Sequence, residues 1–178
     1  MIKKVFVIPR NVIEYSSLKQ YHTSKKWALI SIFGEEGPLS SNVKSRLTCS
    51  ELSEHYFDDI DNEIFDLSGK RQYKLFDKND AIQIINFVNK IQQKDIPMLI
   101  IHCHAGISRS GAVGLFVTRY LGLDEIEFRQ NNPRIMPNFH VLNILNVESG
   151  INKSYVQFWK DLEEEQLKTY FGHHHRIF

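Results

Sequence analysis

Cysteine is scarce in this chain, with only Cys49 and Cys103 among 178 residues. Two thiols cannot supply the disulfide framework of a small secreted domain. A reactive thiol also needs a reducing compartment, so a cytoplasmic location is expected. Long apolar runs are missing too, and none approaches the roughly 20 residues that a membrane span requires. The N-terminal stretch Met1–Pro9 runs from charged to apolar, but its apolar part is too short for a signal peptide and Pro9-Arg10 interrupts it; it reads as a first strand. Neither sign of charge dominates, with 22 Lys and Arg against 21 Asp and Glu, and there is no long basic block. An extended nucleic-acid surface is therefore disfavoured, and no membrane partner is expected. No internal repeat, linker or second composition is visible. Residues 1–178 read as one domain, long enough to bury a substantial core.

The chain is organised around Ile100-Ile101-His102-Cys103-His104-Ala105-Gly106-Ile107-Ser108-Arg109-Ser110-Gly111. Met98–Ile101 is an apolar run after a proline, the pattern of a strand buried on both faces. Ala112–Leu121 is apolar and rich in helix formers, so a buried helix follows. A strand, tight loop and helix in this order direct several backbone N–H groups and the positive end of a helix dipole at one spot, which is an anion site. Such a field favours a thiolate, so Cys103 is a candidate nucleophile. Arg109, six residues on, can return over the loop and grip two phosphoryl oxygens as a planar fork, which lysine cannot do. Gly106 permits a turn or a close backbone approach. Ser110 can place a hydroxyl near the sulfur, and the ring N–H of His102 can orient the loop.

His102-Cys103-x-x-Gly106-x-x-Arg109-Ser110 resembles the signature of the cysteine-dependent protein tyrosine phosphatase superfamily, and its middle residues resemble the dual-specificity branch. The bare Cys-x5-Arg spacing is weak evidence, whereas the longer form on a strand, loop and helix is specific. The resemblance covers roughly residues 27–145. It implies a phosphate monoesterase acting through a phosphocysteine on a phosphorylated protein or peptide. It implies Cys103 as nucleophile, with Arg109, Ser110 and the loop residues His104, Ala105, Gly106, Ile107 and Ser108 around the phosphate, and no metal or other cofactor.

In the family an aspartate upstream of the cysteine protonates the leaving group, and the acidic cluster Phe57-Asp58-Asp59-Ile60-Asp61 resembles the strand end that carries it. Asp59 is favoured, then Asp58, then Asp61. An insertion around Glu63–Tyr73 lengthens the interval to Cys103 and keeps Asp66 in play. A second point of resemblance is Asn132-Pro133-Arg134-Ile135-Met136-Pro137-Asn138, an Arg-bearing segment ending in Pro-Asn ahead of a helix. Asn138 can cap that helix and hydrogen-bond the active loop, and Arg134 is a weaker candidate for anion contact.

The remaining pattern gives strands at Lys3–Ile8, Trp27–Phe33 and Glu51–Phe57. It gives helices at Asn11–Gln20, Asp77–Lys94 (capped by Asp77 or Asn79), from Leu123 with Asp124 near its N-cap, and Ser154–Tyr170. His173-His174-His175 reads as a tail and Cys49 as an inert filler. The expected fold is α/β, a central, mainly parallel sheet of four or five strands with helices on both sides.

Two other substrate classes compete with phosphoprotein. Phosphoinositides are disfavoured, because superfamily members that act on them usually add basic residues at the variable loop positions and this loop contains no lysine; an RNA 5′-triphosphatase of the same superfamily, which typically has a different loop middle, stays as the enzymatic runner-up. A binding module that holds phosphate without turning it over is the non-enzymatic alternative. A sulfurtransferase or arsenate reductase is a third.

Overall fold

The computed structural model describes residues 1–15, 26–63, 67–69 and 73–151. The expected C-terminal helix, the His173–His175 tail and Asp66 lie outside the described residues. Four strands form one parallel sheet: β1 (Lys4–Pro9), β2 (Ala28–Phe33), β3 (Glu51–Tyr56) and β4 (Met98–Cys103), in the order β1-β4-β2-β3. Every residue of β4 is buried, and β2 is buried up to its last residue. That is why these two segments read as continuous apolar runs rather than as alternating ones. The helices are α1 (Arg10–Tyr15), α2 (Ser41–Arg46), α3 (Lys78–Gln93), α4 (Arg109–Tyr120), α5 (Glu125–Asn131) and α6 (Phe139–Ser149).

The two-residue period of the strands sorts the core into two layers. Leu99, Ile101 and Cys103 of β4, with Ala28, Ile30 and Ile32 of β2, face α3, α4 and α6. Met98 and Ile100 of β4, with Leu29 of β2, face α1 through Ile13, α2 through Val43, and Leu39 just ahead of α2. Helices thus cover both faces, as expected. The chain leaves β1 toward one layer and β4 toward the other, so the carboxyl ends of these neighbouring strands form a switch point, where open α/β sheets hold ligands. The Cys103 loop emerges there.

Helix starts follow local side-chain chemistry. Asp77, not Asn79, caps α3: its carboxylate accepts from the Asn79 and Asp80 amides, and Asp80 returns the contact to the Asp77 amide. Asp124 caps α5 by accepting from the Ile126 and Glu127 amides, and Asn138 caps α6 by accepting from the Val141 amide. Helix α1 is described only to Tyr15, so the rest of the expected Asn11–Gln20 helix lies outside the described residues. Helix α2, capped by Ser40, was not expected. It spans six residues and buries only Val43, too little to leave a periodic trace.

Two buried histidines give stability a pH dependence. Burial, with Lys74 nearby, lowers His55 to about 4, and burial lowers His102 to about 4, from an ordinary 6.5. Both are neutral in the fold, whereas the unfolded chain protonates them below about 6.5. Their stabilising contribution is therefore complete above that value and is lost as pH falls toward 4, on the order of 3 kcal/mol each. Urea midpoints should drop steeply from pH 6.5 to pH 4. His55→Gln should flatten that slope, and an unchanged slope would contradict this assignment.

Candidate active site

Cys103 ends β4 on the face toward α4, and its Sγ lies 3.1 Å from the Ser110 Oγ in the first turn of that helix. Between them the loop is held from outside by its carbonyls. His104 accepts from the Arg10 amide, Ile107 from the Met136 amide, and Ser108 from the Asn138 amide. With these carbonyls turned to flanking elements, the amides of Ala105–Ser108, which donate to no partner among the described residues, remain for an anion. The start of α4 adds its own unsatisfied amides and dipole.

Gly106 is required on two counts. Its φ is +68°, and a Cβ there would sit 2.4 Å from the Pro9 nitrogen and 2.5 Å from the Ile8 carbonyl carbon. The loop thus rests directly on the end of β1. Gly106→Ala should destabilise the protein by about 3 kcal/mol and displace the loop. A thermal melt together with an activity assay checks this, and a variant with unaltered stability would contradict the contact.

Arg109 opens α4 and is 7% exposed. Its Nη1 donates to the Phe57 carbonyl at 3.0 Å, and its Nη2 lies 3.6 Å from a Glu36 carboxylate oxygen. Its Nε is buried without a hydrogen-bond partner among the described residues, so the guanidinium keeps donor capacity for an incoming oxyanion. Gly34 makes room for this arrangement. A Cβ there would come within 2.3 Å of an Asp58 oxygen and 3.1 Å of the Arg109 Nη1. Glu36 belongs to a stretch that read only as a turn, and nothing local in the sequence ties it to a residue 73 positions away.

The acidic cluster resolves by direction. Asp58 is 6% exposed and accepts from the Lys74 amide at 2.8 Å, while its own amide donates to the Lys74 carbonyl. It closes the base of the 58–74 excursion, which encloses the stretch assigned to an insertion. Asp59 is exposed and turns the other way: the Ser108 Oγ donates to its Oδ1 at 2.7 Å, and the Asn138 Nδ2 donates to the same oxygen at 3.0 Å. Asp61 is exposed. Of the described candidates, Asp59 is the one hydrogen-bonded to the loop.

Two expectations need correction. His102 does not orient the loop through its ring: period-2 geometry points it to the face opposite Cys103, where Nε2 hydrogen-bonds the Ser31 Oγ at 2.8 Å and ties β4 to β2. Asn138, by contrast, both caps α6 and hydrogen-bonds the loop as expected, the latter through its backbone amide, while its Nδ2 goes to Asp59. Strand β3 stops at Tyr56, which frees the Phe57 carbonyl for Arg109. Arg134 is exposed and lines a cleft of about 280 Å³ with Val12, Ala105, Gly106, Pro133 and Ile135, beside the loop. Cys49 is a free, half-buried thiol, pushed up by burial.

No protein-family model matches the chain, and no curated protein does. Solved structures do. Tk-PTP in its active form is 18% identical, with 84% of this chain and 92% of that chain covered and a TM-score of 0.51. The human tyrosine phosphatase-like serine/threonine/tyrosine-interacting protein is 16% identical over 83% and 91%, with a TM-score of 0.55. PTPMT1 in complex with PI(5)P is 14% identical over 83% and 90%, with a TM-score of 0.50. With its parallel sheet, its loop between β4 and α4 and these structural matches, the chain has the α/β fold of the dual-specificity-like tyrosine phosphatases.

Proposed function

We propose that this chain hydrolyses phosphate monoesters of phosphoproteins, at tyrosine or with dual specificity, through a phosphocysteine intermediate. The observation that carries the reading is the convergence on one loop of Cys103, Ser110 at 3.1 Å from its sulfur, the partly unpaired Arg109 guanidinium, and Asp59 tied to Ser108. The Cys103 thiolate attacks phosphorus in line, forming the S–P bond as the P–O ester bond breaks. Asp59 gives its proton to the departing oxygen. Arg109 and the loop amides hold the charge of the equatorial oxygens. Water, deprotonated by Asp59, then attacks the phosphocysteine. Phosphate leaves, and the Ser110 hydroxyl stabilises the departing thiolate.

The loop positions His104, Ala105, Ile107 and Ser108 contain no lysine, which supports a protein substrate over the inositide seen with PTPMT1. A reactive thiol supports a reducing, cytoplasmic setting. No helix of the described residues is long and apolar enough to cross a membrane.

Hydrolysis of p-nitrophenyl phosphate in EDTA, with vanadate as inhibitor, tests the reading. Wild type should turn over and vanadate should stop it. Asp59→Asn should lower kcat by roughly 10²–10⁴. A likeness to a phosphatase-like interacting protein favours a second reading, a module that binds phosphate without turnover. An inert wild type that still binds vanadate would select it.

A further inference from the structure

We propose that Ser108 and Asn138 are positioning residues that aim Asp59 as the proton donor, an inference that rests on the phosphatase reading above. Ser108 occupies the N-cap position of α4, where a serine normally accepts a hydrogen bond from its own helix and stabilises it by about 1 kcal/mol. Here its side chain makes no cap bond. The hydroxyl donates instead to the Asp59 Oδ1 at 2.7 Å. The diversion has two consequences at once: the first amides of α4 stay open for a phosphate, and the loop grips the acid.

Asn138 divides its amide in a complementary way. Its Oδ1 caps α6 through the Val141 amide at 2.9 Å, its Nδ2 donates to the Asp59 Oδ1 at 3.0 Å, and its backbone amide donates to the Ser108 carbonyl. One residue therefore links α6, the phosphate loop and the acid. Both side-chain donors converge on Oδ1, and the Oδ2 of Asp59 has no hydrogen-bond partner among the described residues. An oxygen that accepts two donors is a poor place for a proton, so the acidic proton resides on Oδ2, the oxygen left for the leaving group. Among the described residues no other hydrogen bond holds this exposed side chain in place, and fixed orientation is a large part of what a general acid contributes.

The leaving group supplies a readout that a merely structural role would not move. p-Nitrophenol departs readily without a proton, whereas phenol needs one. Ser108→Ala removes one donor, and Asn138→Ser keeps a competent N-cap while withdrawing the other. Each should lower kcat/KM for phenyl phosphate about tenfold more than for p-nitrophenyl phosphate, and Ser108→Thr, which restores a hydroxyl, should recover the difference. In an Asp59→Asn background neither change should add to the difference, because the residues act as one unit. Equal losses on both substrates, or a further differential loss without Asp59, would overturn the proposal and leave the phosphatase reading standing. A folded wild type inert toward both esters would overturn that reading and this proposal with it.

Discussion

Cys103→Ser should abolish turnover, by roughly 10⁴-fold or more, while leaving the protein folded and able to bind vanadate. The substitution changes one atom at a residue that is 2% exposed, so little packing is lost. The serine oxygen can keep the 3.1 Å approach to Ser110. What disappears is the proposed nucleophile. An alkoxide is far harder to form than a thiolate, and nothing in this loop is placed to take a proton from serine: His102 lies on the other face of the sheet, bonded to Ser31. The loop amides and Arg109 remain, so phosphate affinity should change by less than about threefold. Steady-state kinetics with a binding titration of vanadate separates the two effects. Residual turnover within a hundredfold of wild type would mean that the sulfur is not the attacking atom.

Arg109→Lys should lower kcat/KM by about 10³, a loss that conservation of charge does not prevent. The guanidinium reaches in two directions that an ammonium cannot reproduce together, to the Phe57 carbonyl at 3.0 Å and toward Glu36 at 3.6 Å. Anchored there, it offers further N–H groups to a phosphoryl oxyanion in a fixed plane. A lysine would satisfy one contact and leave the others open. The Phe57 carbonyl would lose its partner, at a cost of about 1–3 kcal/mol in stability. Both kcat and vanadate affinity should fall, because in the proposed mechanism the group contacts the phosphoryl oxygens before and during transfer. A lysine variant with wild-type kcat and only a raised KM would show that the fork is not used in the transition state.

The central strand, the loop and the helix after it were legible because their signals are local. An apolar run, a glycine with a special φ and a nucleophile-to-arginine interval lie within 24 residues, 98–121. The caps at Asp124 and Asn138 were readable for the same reason, and that of α3 was narrowed to Asp77 or Asn79, since each cap acts within three residues of itself. Contacts that bring distant segments together were not readable. Glu36 meets Arg109, Ser31 meets His102, and Ser108 meets Asp59 only after β2, β3 and β4 align in register. The choice between Asp58 and Asp59 is the sharpest instance. The two are neighbours of identical chemistry just past the end of β3, and the turn of backbone there sends one inward to the Lys74 amide and the other outward to the loop. Composition and spacing cannot separate them. His102 was misjudged for a related reason: adjacency to Cys103 suggested a shared task, whereas alternation along a strand puts neighbours on opposite faces.

The account turns on covalent catalysis at one sulfur, and trapping the intermediate tests that most directly. Wild type mixed with p-nitrophenyl phosphate, quenched in acid within milliseconds and analysed by peptide mass spectrometry should carry one phosphoryl group on Cys103. The label should accumulate further in Asp59→Asn, where water activation is impaired, and be absent in Cys103→Ser. Turnover with no label on Cys103 at any time, or a label on another residue, would contradict the phosphocysteine mechanism.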